Sequence, residues 1–387
     1  MFSNLLLVVI YLAFISLGLP DSLIGAAWPS MYRSLGVPIS FAGILSTIVA
    51  SGTIVSSISS DRLIRRFGVA KITLVSVLMT ALALIGFAVF NHFLFLCLVA
   101  IPLGLGAGAI DSALNNYVAN HHEAKHMSWL HCFWGVGATI GPMIMGWSLV
   151  QYQSWHLGYL IIGLIQLMLV VVLFFSLPLW DRGSGLEKTA DSSNIIVLNL
   201  PQIFQLKAIK PVLLAFFCYC AIEASVGLWG GSYLVKVQGF SPEKAAQWVA
   251  VYYFGITFGR FLSGFLMMRF STQWMIRVGQ GLIGLGALVL TLSGASLSPI
   301  GLFLIGLGCA PIFPSLLHET PLNFGAQYSQ SVMGVQMAFA YVGTTLMPPL
   351  FGVLATYIGY QLLPWFVVVI LAVMVVMIES LRRQVPH

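Results

Sequence analysis

Apolar residues run along this chain in long continuous stretches, each near the roughly 20 residues that a helix needs to cross a bilayer. The pattern predicts six such helices in the first half, over 4–32, 40–61, 70–90, 93–118, 127–150 and 156–179. Six more follow over 209–235, 242–268, 273–295, 299–317, 327–353 and 361–381. A transmembrane barrel would instead show short alternating segments. One long polar stretch, 180–208, separates the halves. It opens with WDRGSGLEKTADSSN and closes with the amphipathic piece IIVLNLPQIFQL, which reads as a linker ending in a helix on the membrane surface. The expected fold is therefore all-α and membrane-embedded. Twelve transmembrane helices form two six-helix bundles, 1–179 and 209–387, joined by a cytoplasmic linker over 180–208.

Composition sharpens this reading. The chain has 387 residues, 59% hydrophobic and only 7% charged, whereas soluble domains carry about 25% charged residues. The net charge of +6 does not point to nucleic acid. With the N-terminus inside, all of the 17 Lys and Arg except Arg33, Lys236 and Lys244 fall on the cytoplasmic side, the bias that orients membrane proteins. Both termini are expected in the cytoplasm of a cell-membrane protein. Cys97, Cys132, Cys218, Cys220 and Cys309 lie in apolar runs and read as packing residues, not as a disulfide framework or metal site. The N-terminal MFSNLLLVVIY lacks a basic segment, so the first run reads as a retained helix. There is no GxxxxGK[ST] nucleotide loop.

Against this apolar background the intramembrane polar residues stand out. In IPLGLGAGAIDSALNNYVAN (101–120), Asp111 follows Gly104, Gly106 and Gly108, and precedes Asn115 and Asn116. A carboxylate at that depth costs about 2.5–3.5 kcal/mol on insertion scales, and the usual compensation is a proton or substrate pathway. Asp111 and Asn115, four apart, share one helix face. Asp21 follows Pro20 in the first helix. In the fifth, His131 and Trp134 are three apart, and His131 reads as a proton relay or as interhelical glue. His121, His122 and His126 read as solvated loop residues. In the seventh helix, Glu223 faces the central cavity or a neighbouring helix, with Tyr219 and Trp229 near it and Gln336 supplying another amide. Helix-breaking prolines are Pro20 beside Asp21, Pro311 with Pro314 expected to interrupt helix ten, and Pro348 with Pro349 expected to interrupt helix eleven.

The halves also repeat. The offset that sets Glu223 on Asp21 sets Gly227 on Gly25 and Ser232 on Ser30. SDRLIRRFG (60–68) falls on SGFLMMRFS (263–271), pairing Arg66 with Arg269, and GATIGP (137–142) falls on GTTLMP (343–348). Two parallel six-helix repeats, with SxxxDRLIRRFG after the second helix, resemble the major facilitator superfamily and its GxxxDRxGRR loop. That resemblance implies a conformational latch of Asp61, Arg62, Arg65 and Arg66, with Arg260 and Arg269 as a second-half counterpart. Arg260 reads alternatively as a ligand for an anionic substrate. Helix one, GLPDSLIGAAWPSMY (18–32), and helix four, GAIDSALNNYV (108–118), resemble the fucose–galactose–glucose:proton symporter branch. Asp111 stands where that branch carries Glu, and Asn115 at its Asn.

This resemblance implies a transporter, not an enzyme: a proton-coupled symporter for a small neutral solute, a sugar or glycoside, working by alternating access. The proton is its coupling ion, and no cofactor or metal is expected. Proton coupling would fall to Asp111, Asp21, Glu223 and His131. Substrate would be held by Asp21, Asn115, Asn116, Trp134, Tyr219, Glu223, Trp229 and Gln336. The expected partners are a small-molecule substrate and membrane lipid, with the chain a monomer. The alternative is a proton antiporter exporting drugs, lipids or glycolipids. GATIGP resembles the helix-five motif of such antiporters, or else marks a small-residue packing face.

Overall fold

The computed structural model describes residues 2–121, 124–183, 198, 200–292, 296–325 and 327–385. The expected linker falls largely outside these residues. The helices are α1 Phe2–Asp21, α2 Leu23–Ser34, α3 Ala42–Phe67, α4 Val69–Val89, α5 Phe93–His121, α6 Ala124–Tyr152 and α7 Trp155–Gly183. They continue as α8 Leu200–Gln205, α9 Ile209–Lys236, α10 Pro242–Leu266, α11 Thr272–Leu292, α12 Ser298–Phe324, α13 Ser329–Ile358 and α14 Leu363–Gln384. Among the described residues, 12 stretches are long and apolar enough to cross a membrane, the first of them Leu5–Ser34 across α1 and α2. The protein is a multi-pass membrane protein. Its contacts fall into two compact units, Met1–Ala190 with Phe240–Tyr253, and Asp191–Gly239 with Phe254–His387.

The prolines depart from expectation. α12 runs unbroken through Pro311, Pro314 and Pro321, and α13 through Pro348 and Pro349. A proline removes one backbone donor and crowds the preceding turn, but neighbouring helices and side chains can satisfy what it frees. The same stretch of α13 is tied to α9, where the indole of Trp229 donates to the Pro348 carbonyl at 2.7 Å. Pro20 is the exception, because the first span does break beside it as expected. α1 ends at Asp21 just after Pro20, Ser22 forms a turn, and α2 restarts at Leu23.

Glycine governs how closely the helices approach. Gly104 and Gly108 of α5 lie against the carbonyls of Val49 and Thr53 in α3, while Gly106, on the other side, meets the Ser76 carbonyl of α4. Thr53 and Ser57 donate to the Gly104 and Gly108 carbonyls, each at 3.2 Å. Ser57, at the first position of the loop motif, thus ties α3 to the turn of α5 that leads into Asp111. The α1–α6 seam is as tight. A side chain at Gly18 would strike the Trp134 carbonyl, and one at Gly137 the Ile15 carbonyl and, at 3.0 Å, the Leu19 nitrogen.

The second unit repeats the Gly137 contact of this seam. Gly343 of α13 lies against the Phe217 carbonyl, and 3.3 Å from the Ala221 nitrogen, in α9. Phe217 and Ala221 are the residues that the Asp21–Glu223 alignment sets on Ile15 and Leu19, and Gly343 is the one that GTTLMP sets on Gly137. The internal repeat therefore exists at the level of individual backbone contacts. The first unit carries a further tie. Gln166 of α7 is buried, donates to the Ser16 carbonyl of α1 at 2.7 Å and accepts from the Thr80 hydroxyl of α4.

Overpacking a close seam costs about 1–3 kcal/mol. Gly137→Ala and Gly343→Ala are each expected to lower the melting temperature of the detergent-purified protein. Gly281→Ala, where a new methyl meets nothing within 4 Å, should hold or raise it, because Ala is the better helix former. Equal melting temperatures for all three would contradict the seam.

Candidate functional site

Asp21 sits at the break between α1 and α2, and its Oδ2 accepts a 2.7 Å hydrogen bond from Trp134 Nε1 of α6. The Gly18–Trp134 contact explains the reach. It brings the α6 backbone against α1 one turn below Asp21, so the indole extends along the helix to the carboxylate. Asp21 is exposed, whereas Trp134 is half-buried. The first carboxylate and the first aromatic picked out from the sequence are thus in direct contact.

Asp111, also half-buried, lies well inside α5. Its Oδ1 accepts from Asn115 Nδ2 at 2.8 Å, the four-residue pairing that the spacing implies. Asn115 Oδ1 is buried and has no hydrogen-bond partner among the described residues. The side chain of Asn116 lies outside the description, as do those of Asp61, Arg62 and Arg65 in the expected latch. Arg66 is exposed, its guanidinium 5.4 Å from the Phe67 ring centre.

His126 corrects the sequence reading. It is not a solvated loop residue but part of α6, and its Nδ1 lies 2.8 Å from the Tyr11 hydroxyl of α1. His131 stands edge-on to Phe14, ring centres 6.0 Å apart. Along the parallel α1 and α6 the structure therefore sets Tyr11 by His126, Phe14 by His131 and Asp21 by Trp134. Periodicity marks each residue's own helix but not this pairing, which depends on the rotation of α1 against α6.

In the second unit Glu223 Oε1 lies 3.5 Å from Arg260 Nη2, the two side chains 18% and 15% exposed. Arg260 thus sits against a carboxylate within the bundle and not among the latch charges. Arg269 is exposed in the turn between α10 and α11. The clamp at this end is built from residues the sequence did not single out. Arg277 of α11 grips Glu379 of α14 through both carboxylate oxygens, at 3.0 and 3.1 Å, and Arg382 joins Glu379 at 3.1 Å. Nearby, buried Glu319 of α12 accepts from Thr272 at the start of α11.

Three of the expected substrate residues are packed. Trp229 is fully buried against Phe351, Tyr360 and Gly352. Tyr219 is buried beside Phe313. Gln336 is buried, with its amide oxygen accepting from Thr320 at 3.0 Å. These side chains fasten α9, α12 and α13 together. Among the described residues no group of three or more His, Cys, Asp or Glu is placed to hold a metal ion.

Comparison with known proteins places this geometry in context. The model of the Major Facilitator Superfamily matches residues 10–335 and 212–387. Bypass of stop codon protein 6 of Saccharomyces cerevisiae is 23% identical over 91% of this chain and 77% of its own length. The glucose/mannose transporter GlcP of Bacillus subtilis is 24% identical over 81% of this chain and 76% of its own length. A putative glucose/galactose transporter of Helicobacter pylori is 24% identical over 65% of this chain and 64% of its own length. A crystal structure of a D-xylose-proton symporter superposes with a TM-score of 0.78 at 12% identity, covering 100% of this chain and 98% of that one.

Breaking a buried ion pair from one side costs about 3–5 kcal/mol, while removing both charges costs far less. Glu223→Gln alone, which takes the carboxylate away from Arg260, should therefore lower thermal stability more than the double variant Glu223→Gln with Arg260→Gln. The two partners are slightly exposed, so the single loss should lie near the lower figure, about 3 kcal/mol. Equal stability of the single and double variants would mean the pair is not coupled.

Proposed function

The chain belongs to the Major Facilitator Superfamily and is a membrane transporter, not an enzyme, and we propose that it couples proton entry to uptake of a small neutral solute, a sugar or glycoside, by alternating access. The observation that carries this reading is the pair of intramembrane carboxylates held by neutral N–H donors, Asp21 by Trp134 and Asp111 by Asn115. The sugars named for the relatives from B. subtilis and H. pylori support it.

The coupling follows from hydrogen-bond chemistry. An ionised carboxylate holds an amide N–H through a charge-assisted bond, about twice as strong as a neutral one. Protonation of Asp111 weakens its hold on Asn115 Nδ2 and turns one carboxyl oxygen into a donor. The freed Asn115 amide then presents both a donor and its unpartnered oxygen, a match for sugar hydroxyls. On the α1–α6 seam Asp21 offers a further acceptor and Trp134 an aromatic face. Protonation and substrate binding thus favour each other, as symport requires. His131 and the His126–Tyr11 pair lie along the same seam and serve proton transfer or orientation. Glu223, the remaining acid of the expected coupling set, is paired with Arg260. Trp229, Tyr219 and Gln336 are left out of the binding set because packing occupies them.

In this reading the chain is a monomer in the cell membrane with its termini in the cytoplasm, and the Asp61–Arg66 segment at the end of α3 is the latch of one closed state. The export alternative drew on GATIGP, whose Gly137 and Gly141 lie against α1 as a packing face.

Right-side-out vesicles with an imposed inward proton gradient provide the test. Wild type should accumulate a transported sugar, and Asp111→Asn should abolish accumulation while retaining sugar exchange. Trp134→Phe, which deletes the N–H that holds Asp21 and shrinks the aromatic face, should weaken sugar binding. Efflux driven by the same gradient would favour the antiporter. Unchanged accumulation in Asp111→Asn would remove Asp111 from the proton path.

A further inference from the structure

The short helix α8 and the entry to α9 make a second site, unrelated to transport chemistry. A crevice of about 480 Å³ opens between α8, the first turn of α9 and the last turns of α14. Its charged lining is wholly basic. Lys207 and Lys210 flank the mouth, both exposed, and no carboxylate occurs among its described lining residues. Ser380 and Gln384 of α14 add a hydroxyl and an amide on the opposite wall, held together by a 3.1 Å hydrogen bond. The rest is apolar and opens outward, with Phe204 of α8 42% exposed and Leu214 of α9 39% exposed.

The local fold explains the arrangement. α8 buries Ile203 and turns Leu200 and Phe204 outward, as a helix lying at a membrane surface does. Ala208 then takes a left-handed conformation, φ 66°, and the chain turns from α8 into the spanning α9. The turn sets Lys207 and Lys210 on either side of the bend, at the level where apolar side chains give way to charge. Charge and apolar area meet at one mouth. Free phosphate would use only the lysines, whereas a phospholipid would use the lysines, the polar wall and the apolar flank together.

We propose that this crevice binds one anionic phospholipid, its phosphate between Lys207 and Lys210 and its acyl chains along Phe204 and Leu214. Basic pockets beside membrane spans on the positively charged side are suited to such headgroups, each Lys near an anionic surface contributing about 1 kcal/mol.

The full chain, purified in detergent, is titrated with phosphatidylglycerol or phosphatidylcholine and examined by native mass spectrometry. Wild type should retain phosphatidylglycerol several-fold over phosphatidylcholine. Lys207→Gln with Lys210→Gln should bring the ratio close to one, whereas Lys236→Gln, at the far end of α9, should leave it unchanged. Millimolar inorganic phosphate should not displace the lipid. Absence of preference in wild type, preference surviving in the double variant, or displacement by phosphate would each overturn the proposal. Melting temperatures of the variants, measured alongside, show whether a lost preference reflects lost folding. If the double variant melts early, Leu214→Gln, which keeps both charges and removes the apolar flank, should still reduce retention.

Discussion

Everything at the candidate site depends on backbone meeting backbone between α1 and α6. Nothing larger than hydrogen fits at Gly18 and Gly137, so the two helices touch along several turns. In a membrane, where lipid tails are as apolar as Leu, such contact is a main source of helix association. It also fixes the rotation of α6 and so aims Trp134 at Asp21. The same contact recurs between α9 and α13 with the repeat-equivalent residues. One packing solution, used twice, builds both halves.

The two halves then diverge in what the solution carries. In the first it positions a carboxylate against an indole, at a break in the helix. In the second, the equivalent acid, Glu223, sits in an unbroken α9 and lies against Arg260. One acid is exposed and accepts from an indole; the other is largely buried against a guanidinium. Within a symmetric frame, the first unit thus carries the exposed carboxylate and the second the ion-paired one. Trp229, Gln336 and the Arg277–Glu379–Arg382 cluster have the same fastening character.

Much of this was legible in the sequence, for identifiable reasons. Span number and span limits follow from apolar run length, which needs no knowledge of tertiary contacts. The Asp111–Asn115 bond follows from helical spacing alone. The repeat was visible because Asp21, Gly25 and Ser30 keep their register with Glu223, Gly227 and Ser232. What stayed hidden was every contact that depends on rotation between helices: Asp21 with Trp134, Tyr11 with His126, Glu223 with Arg260. Proline misled for the same reason. Pro311 and Pro348 break a helix in isolation, yet packing keeps α12 and α13 continuous. The glycines were legible as a packing face but not as to which helix they would meet.

The amide of Gln166 joins α1, α4 and α7 through two hydrogen bonds, to the Ser16 carbonyl and the Thr80 hydroxyl. Three rods pinned at one buried point cannot slide along one another without leaving a polar group bare in a dry interior, at a cost of about 1–3 kcal/mol. During the transport cycle these three helices should therefore travel as one lever.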